Sequence, residues 1–372
     1  MIVKNRSDLF RAFDILAREK AIGIDLESDS MFHYKEKVCL IQISVPDKNI
    51  LIDTLSIRDL EPLSQILSDP AIRKVFHGAD YDIRSLFRDF NTEITSLFDT
   101  QIAAKFLGIE QTGLSYILEN RLGIHLEKKF QKSDWSKRPL SKEMLKYAVK
   151  DSCYLLSLAG ILEKELMEKG RLSWFEEECE LLSKVRPSSP RDEPLFLRFK
   201  GAIKLDRRSL ALLDELLKLR EELASKKDVP PFKILGNNQI MEIVNKKPMT
   251  MDDLDGLSLR QIKNLGRSIL NRTQVGMNIP EENLPQFPRG KKQKLSVIAL
   301  RKINALKEWK GRYGEEIGID PSIICPNSLV QAIALVNPCS PEDLKGLSEM
   351  RRWQKDLYGD EICTLLSSIT QY

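Results

Sequence analysis

A-I-G-I-D-L-E-S, residues 21–28, places two acids at the end of an apolar run. The apolar residues of this stretch predict a buried strand, and residues two apart on a strand project from the same face. Asp25 and Glu27 are therefore expected to point together. Two neighbouring carboxylates repel, so burying both requires a compensating cation or the uptake of a proton. From this fragment alone, a strand end with two hydrated acids is an equal alternative.

The chain's 372 residues exceed the size of one ordinary hydrophobic core, so two or three domains are expected. The composition is 42% apolar and 30% charged, which is typical of a soluble globular protein. Residues 1–13 hold scattered charges instead of a secretory signal, and no apolar run approaches the ~20 residues that cross a bilayer. We therefore expect a cytoplasmic protein with no membrane partner.

The six cysteines stand apart from one another, without a C-x-x-C pair or a histidine at metal-ligand spacing. Neither a zinc site nor a disulfide framework is expected, and the cysteines are interpreted as small buried hydrophobes in a reducing compartment. No G-x-x-x-x-G-K phosphate loop is present to make the chain a helicase. No dinucleotide cofactor is expected.

The net charge of +4 is unevenly divided between the two halves of the chain. Residues 1–190 hold 28 Lys and Arg against 30 Asp and Glu, whereas residues 191–372 hold 30 against 24. The halves therefore carry −2 and +6. A basic second half suits a polyanionic partner, but such an excess is also common on solvated helical surfaces, and both interpretations stay open.

Three further apolar stretches, at residues 38–44, 49–53 and 74–77, predict strands of the same sheet. Helical patterns alternate with strands thereafter, which is typical of an α/β layer. Because three early strands follow one another directly, part of the sheet is expected to be antiparallel. The predicted fold class is a mixed sheet flanked by helices, followed by helical modules.

Two predicted helices carry further polar candidates. The first would take Asp80 as its N-cap, which places Asp82 in the first turn. A long helix beginning at Ser141 would carry Tyr147 and Asp151 one turn apart on the same face. Taken singly, each residue has an ordinary alternative role in helix-dipole complementarity, packing or surface charge.

Taken together, these residues form a recognisable pattern. Four acids in this order, with a tyrosine one turn before the last, resemble the tyrosine subgroup of the DEDD exonuclease superfamily. Four longer stretches are similar to the ribonuclease D family: F-H-G-A-D-Y-D-I (76–83), L-F-D-T-Q-I-A-A (97–104), S-D-W-S-K-R-P-L (133–140) and Y-A-V-K-D-S-C-Y-L-L (147–156). In that family the second-motif aspartate stands five positions after the histidine, which selects Asp82 over Asp80.

The resemblance implies an RNase H-like domain that hydrolyses RNA from its 3′ end and releases 5′-mononucleotides. The implied catalytic set is Asp25, Glu27, Asp82, Tyr147 and Asp151. Its four acids would hold two divalent cations, Mg²⁺ or Mn²⁺, which prefer hard oxygen ligands and support in-line displacement at phosphorus. By the same resemblance, Tyr147 would hydrogen-bond the attacking water. Leu26 and His77 would contact the last nucleotide, although packing is an alternative role for Leu26.

The second half of the chain repeats itself at an offset of 90 residues. Pairs at this offset include Leu210 with Leu300, Leu216 with Leu306, Pro231 with Pro321, Asn237 with Asn327, Ile243 with Ile333, Pro248 with Pro338 and Gly256 with Gly346. The repeat predicts two copies of one helical module. The modules resemble the HRDC domain, which implies that they hold structured nucleic acid by its phosphates and shape. A protein-docking role is the alternative.

The predicted domain organisation follows from the repeat and from two linker-like stretches. It comprises an exonuclease domain (1–185), a linker (186–205), a first HRDC module (206–278), a basic, proline-rich linker (279–294) and a second HRDC module (295–372). Removing everything after Pro187 is expected to spare cleavage of short single strands.

The sequence as a whole predicts a metal-dependent 3′→5′ exoribonuclease that trims precursor tRNAs and similar structured RNAs. Two alternatives stay open. A DNA exonuclease of the same fold would share every catalytic residue. A non-catalytic RNA-binding or scaffold protein could keep the fold without its metals, although the intact set of five site residues argues against it.

Overall fold

The computed structural model describes residues 1–57, 59–127, 129–187, 193–288 and 295–370. The chain forms two compact units, of which the first comprises Met1–Glu27, Val38–Pro187 and Gln293–Tyr372, and the second Ser28–Lys37 and Ser188–Lys292. The predicted basic run at 289–294 and the middle of the predicted linker, at 188–192, lie outside the described residues.

A mixed sheet forms the centre of the first unit. Within the described residues it has six strands in the order β1-β4-β3-β2-β5-β6. The strands are β1 (Ile2–Val3), β2 (Ala21–Ser28), β3 (Val38–Val45), β4 (Lys48–Ile52), β5 (Arg73–Phe76) and β6 (Leu97–Asp99). β3 and β4 are antiparallel, whereas β1 pairs with β4, β2 with β5 and β5 with β6 in parallel. The predicted fold class is confirmed.

The burial of β2 changes along its length. Residues 22–24 are buried between the neighbouring strands, and the strand becomes half-buried from Asp25 onward. By contrast, β3 is buried from end to end. The apolar start of β2 therefore anchors it in the core, while its acidic end reaches a less enclosed region.

Helices cover the sheet: α1 (Arg6–Leu16), α2 (Glu61–Ser68), α3 (Asp80–Phe90), α4 (Thr100–Phe106), α5 (Leu114–Leu122), α6 (Lys142–Cys153), α7 (Leu155–Glu168) and α8 (Leu172–Ser183). The single long helix predicted from Ser141 is two helices that meet at Tyr154. Its predicted start is confirmed, because the Ser141 hydroxyl accepts a hydrogen bond from the Met144 amide at 3.1 Å. Asp80 was wrongly predicted as a cap: α3 begins at Asp80, and its N-cap residue is Ala79.

The two helical modules follow the same order of elements. The first contains α9 (Arg207–Lys227), α10 (Pro231–Ile234), α11 (Asn237–Lys246) and α12 (Leu259–Met277), and the second α13 (Val297–Ile317), α14 (Pro321–Ile324), α15 (Asn327–Val336) and α16 (Arg352–Thr370). The first three helices of each module are offset by 90 residues, as the sequence predicts. The last helix is offset by 93, because the second module has three additional residues before it.

The second module belongs to the same compact unit as the exonuclease domain. Buried residues of α4, α7 and α8 form one continuous hydrophobic cluster with buried residues of α13, α15 and α16. The Arg171 guanidinium, at the start of α8, donates to the carbonyl of Phe106 at 2.7 Å and to that of Ile317 in the second module. The two parts therefore share a core.

The first module folds together with the segment Ser28–Lys37, which follows Glu27 in the chain. The His33 imidazole lies 2.7 Å from the Asp228 carboxylate, which also accepts the Tyr34 amide at 3.2 Å. The Lys233 ammonium lies 4.4 Å from the centre of the Phe32 ring. Two short 3₁₀ turns at residues 195–204, within the predicted linker, also bury side chains in the core of this module. No helix of the described chain is long and apolar enough to cross a membrane.

Candidate active site

Three of the predicted acids converge in the first unit. Asp25 and Glu27 project together from β2, and Asp151 lies near the end of α6. Carboxylate oxygens of these three residues all lie within 4.8 Å of one another. The strand and the late helix therefore bring together acids that are distant in sequence.

Asp82 lies beside this group. It occupies the first turn of α3 and is buried, and the charges of Asp25 and Asp99 both act on it. Burial, together with these two carboxylates, raises the pKa of Asp82 well above its ordinary value. Asp80, by contrast, is exposed and forms an ion pair with Arg84 at 2.9 Å. The two aspartates therefore differ in placement: Asp82 is buried beside the clustered acids, and Asp80 lies at the surface.

A glycine allows α6 to approach β2 closely. A Cβ atom on Gly23 would lie 2.8 Å from the carbonyl oxygen of Ser152 and 3.2 Å from the Cβ of Leu155. The Ser152 hydroxyl also forms a buried 2.7 Å hydrogen bond with Ser44 on β3. Because Ser152 is adjacent to Asp151, these contacts fix the distance between that acid and the strand acids.

The three clustered carboxylates disfavour one another's ionisation. Burial, followed by the charge of Asp151, raises the pKa of Asp25 to about 8, against a hydrogen bond from the Leu26 amide. Burial and the surrounding acids raise the pKa of Glu27 to about 10. Burial raises the pKa of Asp151 to about 6, although a hydrogen bond from Tyr147 opposes this shift.

Tyr147 is held on the same face as Asp151. Its hydroxyl donates a hydrogen bond to the Asp151 carboxylate, and its ring packs edge-on against Phe130, with ring centres 5.7 Å apart. The Trp135 ring lies 6.3 Å away. Burial and the three nearby acids raise the pKa of the Tyr147 phenol far above its usual range, so the hydroxyl stays protonated at neutral pH.

The S-D-W-S-K-R-P-L stretch before α6 supports this tyrosine. Arg138 forms two hydrogen bonds with the Asp53 carboxylate, at 2.7 and 2.8 Å, and donates to the Cys39 carbonyl of β3 at 2.8 Å. It also donates to the Trp135 carbonyl at 2.7 Å. Because Asp53 is buried, this bidentate ion pair is shielded from water and holds Arg138 in place. The S-D-W-S-K-R-P-L stretch is thereby fastened to the sheet.

Comparisons with known proteins identify the same regions. Residues 1–167 match the family model described as 3′-5′ exonuclease, and residues 209–272 and 300–366 each match that of the HRDC domain. Ribonuclease D of Gluconacetobacter diazotrophicus is 29% identical over 98% of this chain and 92% of its own length. Ribonuclease D of Granulibacter bethesdensis is 27% identical with the same coverage.

A solved structure agrees with these relatives. The crystal structure of Escherichia coli RNase D, described as an exoribonuclease involved in structured RNA processing, superposes with a TM-score of 0.73 at 25% identity, covering 99% of this chain and 98% of that one. The chain belongs to the ribonuclease D family. Its first domain is a 3′-5′ exonuclease of the DEDD type, and the repeated modules are HRDC domains.

The ribonuclease D-family site opens into a cavity of about 520 Å³. Six of its lining residues are site residues predicted from the sequence: Asp25, Leu26, Glu27, His77, Tyr147 and Asp151. The His77 imidazole forms a 2.9 Å hydrogen bond with the Thr100 hydroxyl. Burial lowers the pKa of His77, so the imidazole is neutral at pH 7. Both predicted substrate contacts, Leu26 and His77, therefore face the same cavity as the acids.

Several residues of this ribonuclease D-family cavity were not predicted. They come from the residues just before α5, from its start and from the connection that follows it, and they include Gln111, Ser115, Tyr116, Leu126, Glu127 and Gln131. Tyr116 remains 39% exposed although it borders the cavity. The one available signal was G-L-S-Y at 113–116, where Gly113 precedes a helix whose first turn has no side-chain cap.

The donor set fits the divalent cations used by DEDD exonucleases. Three carboxylates within 4.8 Å, flanked by a fourth, offer the hard oxygen ligands that such cations prefer. Among the described residues, no lysine or arginine lines the cavity to neutralise them. Without a cation, the acids can be accommodated only with raised pKa values, which is the electrostatic state that cation binding relieves.

Proposed function

We propose that this ribonuclease D-family 3′→5′ exoribonuclease trims the 3′ ends of structured RNAs, precursor tRNAs among them, and releases 5′-mononucleotides. The observation that carries the proposal is the convergence of Asp25, Glu27 and Asp151 beside Tyr147 in one cavity. Burying several carboxylates together costs folding free energy, and such clusters of perturbed acids are typical of functional sites. The cytoplasm is the compartment that we propose for it.

Two divalent cations, Mg²⁺ or Mn²⁺, are proposed as the cofactors. Asp25, Glu27, Asp82 and Asp151 would hold them, with Asp25 central because its charge acts on both Glu27 and Asp82. Bound there, such ions supply the Lewis acidity that hydrolysis at phosphorus needs. Four carboxylates provide enough ligand oxygens for two ions.

Tyr147 is proposed to orient the attacking water. Its phenol stays protonated because burial and the adjacent acids raise its pKa. It therefore acts by hydrogen bonding and not as a general base. Since Asp151 and the rings of Phe130 and Trp135 fix its position, the hydroxyl is preorganised for this role.

Leu26 and His77 are proposed to contact the terminal nucleotide. Leu26 is half-buried and lines the cavity between the two strand acids, so its exposed part is available to an apolar base face. The neutral His77 ring is held by the Thr100 hydroxyl and by a hydrogen bond to the Thr112 backbone, and it lines the cavity, so its face is available to the sugar or base.

RNA is favoured over DNA as the substrate because the relatives that match this chain over nearly its full length are ribonucleases D. The decisive experiment incubates the purified protein with a 3′-extended tRNA and its DNA counterpart, in chelator and in Mg²⁺ or Mn²⁺. Cation-dependent release of 5′-mononucleotides from the RNA is expected. Asp25→Asn should remove hydrolysis and leave RNA binding largely intact, and unchanged cleavage by this variant would end the assignment.

A further inference from the structure

The last helices of the two HRDC modules, α12 and α16, are equivalent elements that differ sharply on one face. Gln261 and Gln354 fix their alignment, because their side-chain amides donate to the equivalent carbonyls of Ile234 and Ile324 at 3.5 and 2.9 Å. The alignment corresponds to the offset of 93 residues. Each position of α12 can therefore be compared directly with one of α16.

In the second module, this face is used for docking within the first unit. Trp353 of α16 stacks on Trp174 of α8, with ring centres 5.1 Å apart. The Glu177 carboxylate accepts the backbone amides of Arg352 and Trp353 at 2.8 and 3.1 Å. Asp356 lies in the same groove, which also includes Glu177. This face is therefore docked through Trp353, and the exposed acids Asp356 and Asp360 lie beyond that contact.

In the first module, the equivalent face is exposed and cationic. The residues that align with Trp353, Asp356 and Asp360 are Arg260, Lys263 and Arg267. From residue 259 to residue 277, α12 contains no aspartate or glutamate. Arg272, its other cation, forms ion pairs with Glu215 and Glu222 and points elsewhere.

The three cations belong to a longer polar surface, which we call the basic face of α12. It consists of Arg260, Lys263, Asn264, Arg267, Asn271 and Gln274, all of them exposed. At 3.6 residues per turn, they cover an arc of about 100° and a length of about 21 Å. Among the described residues, none of the three cations forms an ion pair, so their charge is available to a ligand.

We infer that the basic face of α12 binds the phosphate backbone of structured RNA. The inference rests on the proposed function and specifies which surface of the HRDC modules would hold the substrate. Three adjacent cations without local acids provide the attraction to phosphate, and the interspersed amides can hydrogen-bond to phosphate or ribose oxygens. The second module cannot supply an equivalent surface because its own face is docked and acidic.

An RNA ligand accounts for this face better than a protein ligand does. The centres of protein interfaces are depleted of charge and enriched in aromatic residues, as the equivalent face around Trp353 demonstrates. The basic face of α12 has no aromatic residue. Its nearest exposed apolar side chains, Leu259 and Val275, lie at its edges.

The test compares three forms of the full-length protein. The first is the parent, the second carries Arg260→Gln, Lys263→Gln and Arg267→Gln, and the third, a matched control, carries Lys204→Gln, Lys226→Gln and Lys227→Gln. The control removes the same charge from exposed positions of the same compact unit outside α12. Binding to a hairpin RNA with a 3′ extension is measured in chelator over a range of salt concentrations. Cleavage of a short unstructured RNA is measured with Mg²⁺.

Removal of the basic face should weaken hairpin binding by about tenfold or more and lower the slope of log K against log salt by about 2 to 3 units. The control should change the slope much less, and it should cleave the short RNA as the parent does. Equal slopes for the two variants would overturn the inference, as would a change only in self-association. If the parent cleaves no RNA, the proposed function fails, and the inference fails with it.

Discussion

The indole of Trp353 stacks on the indole of Trp174 at an angle of 18°, and Phe106 meets Trp353 edge-on, with ring centres 5.6 Å apart. These rings join α16 of the second module to α8 and α4 of the exonuclease domain. Arg351 strengthens the junction through a 2.7 Å ion pair with Glu178. The second module is therefore a structural part of the catalytic unit.

Removing this junction is expected to destabilise the exonuclease domain. Trp353 is 5% exposed, so Trp353→Ala should lower the free energy of unfolding by about 3 to 5 kcal/mol in urea titrations. Leu357→Ala is a suitable control, because Leu357 is 38% exposed on the same helix and should cost much less. Equal losses in the two variants would mean that the stacked rings do not hold the module.

The same core changes the expectation for truncation. A chain that ends after Pro187 would expose Trp174 and Phe106, which contact Trp353 in the intact protein. We therefore predict that this truncated protein unfolds or aggregates, so its loss of cleavage would not measure RNA binding by the modules. Retention of the parent's thermal stability by the truncated chain would contradict this prediction.

Gly23 is predicted to be essential for the spacing between the acids. In Gly23→Ala the new methyl group would meet the Ser152 carbonyl at 2.8 Å and would push α6 and Asp151 away from β2. Catalytic turnover should fall by about 100-fold or more, because displacements near 1 Å have effects of that size. Gly160→Ala is the matched control: Gly160 lies in α7 with no atom near its missing Cβ.

The control should behave in the opposite way. Replacing an exposed glycine inside a helix by alanine stabilises that helix by about 1 kcal/mol, so Gly160→Ala should raise the melting temperature and leave turnover unchanged. Full activity of Gly23→Ala would show that the helix can shift without disturbing the acids.

Features of the site that arise from local sequence patterns could be predicted, whereas those that arise from contacts between distant residues could not. The prediction that Asp25 and Glu27 point together follows from the alternation of a strand, which is local, and the prediction for Tyr147 and Asp151 follows from a helical turn, which is also local. The selection of Asp82 came from the family spacing. The contact between Gly23 and Ser152 involves residues far apart in the chain, and no local pattern encodes it.

The docking of the second module against the exonuclease domain could not be predicted from the sequence, for a related reason. The repeat indicates two similar modules, and the identical offsets of most pairs conceal the three-residue shift before the last helix. Only after that shift does Trp353 align with Arg260, which shows that the two copies use this face differently. The cavity residue Gln131 was missed because a single polar residue in an irregular segment has no periodicity to reveal it, and Tyr116 because one tyrosine in a short helix has packing as its ordinary role.

Divalent cations are predicted to stabilise the folded protein. At concentrations about 100 times the dissociation constant, the gain should be about 2.7 kcal/mol, visible as a higher melting temperature in Mg²⁺ or Mn²⁺ than in chelator. Asp25→Asn should lose most of this shift. In chelator the same variant should be more stable than the parent, because it removes one of the mutually repelling carboxylates. Asp80→Asn, at the exposed ion pair with Arg84, should respond to the cations as the parent does.

Because Lys74 is buried, we predict that the free energy of unfolding depends on pH in the alkaline range. Its side chain is fully buried and donates to the carbonyls of Asp69 and Ile72, both at 2.6 Å. Burial lowers the pKa of Lys74 from 10.5 to about 8. Between these values the unfolded chain binds more protons than the folded one, so this residue makes the free energy of unfolding rise with pH.

The measurement compares the parent with Lys74→Met by urea unfolding at several values between pH 7 and pH 10.5. The stability of the parent relative to the variant should be constant below pH 8 and then increase by about 1.4 kcal/mol per pH unit. All other titrating groups are common to both proteins and cancel. Parallel stability curves would show that the lysine titrates normally in the folded state.

Tyr147→Phe is predicted to slow the chemical step. The variant keeps the ring packing against Phe130 but loses the hydroxyl that Asp151 holds, so turnover should fall by about 10- to 100-fold with little change in KM. Cation binding, measured as the cation-induced rise in melting temperature, should be nearly unchanged. Tyr154→Phe is the control: this tyrosine follows α6, and its hydroxyl hydrogen-bonds Cys153 and not a site acid. Equal single-turnover rates for Tyr147→Phe and the parent would exclude the hydroxyl from the reaction, whereas a loss of cation binding would make Tyr147 a structural support for Asp151.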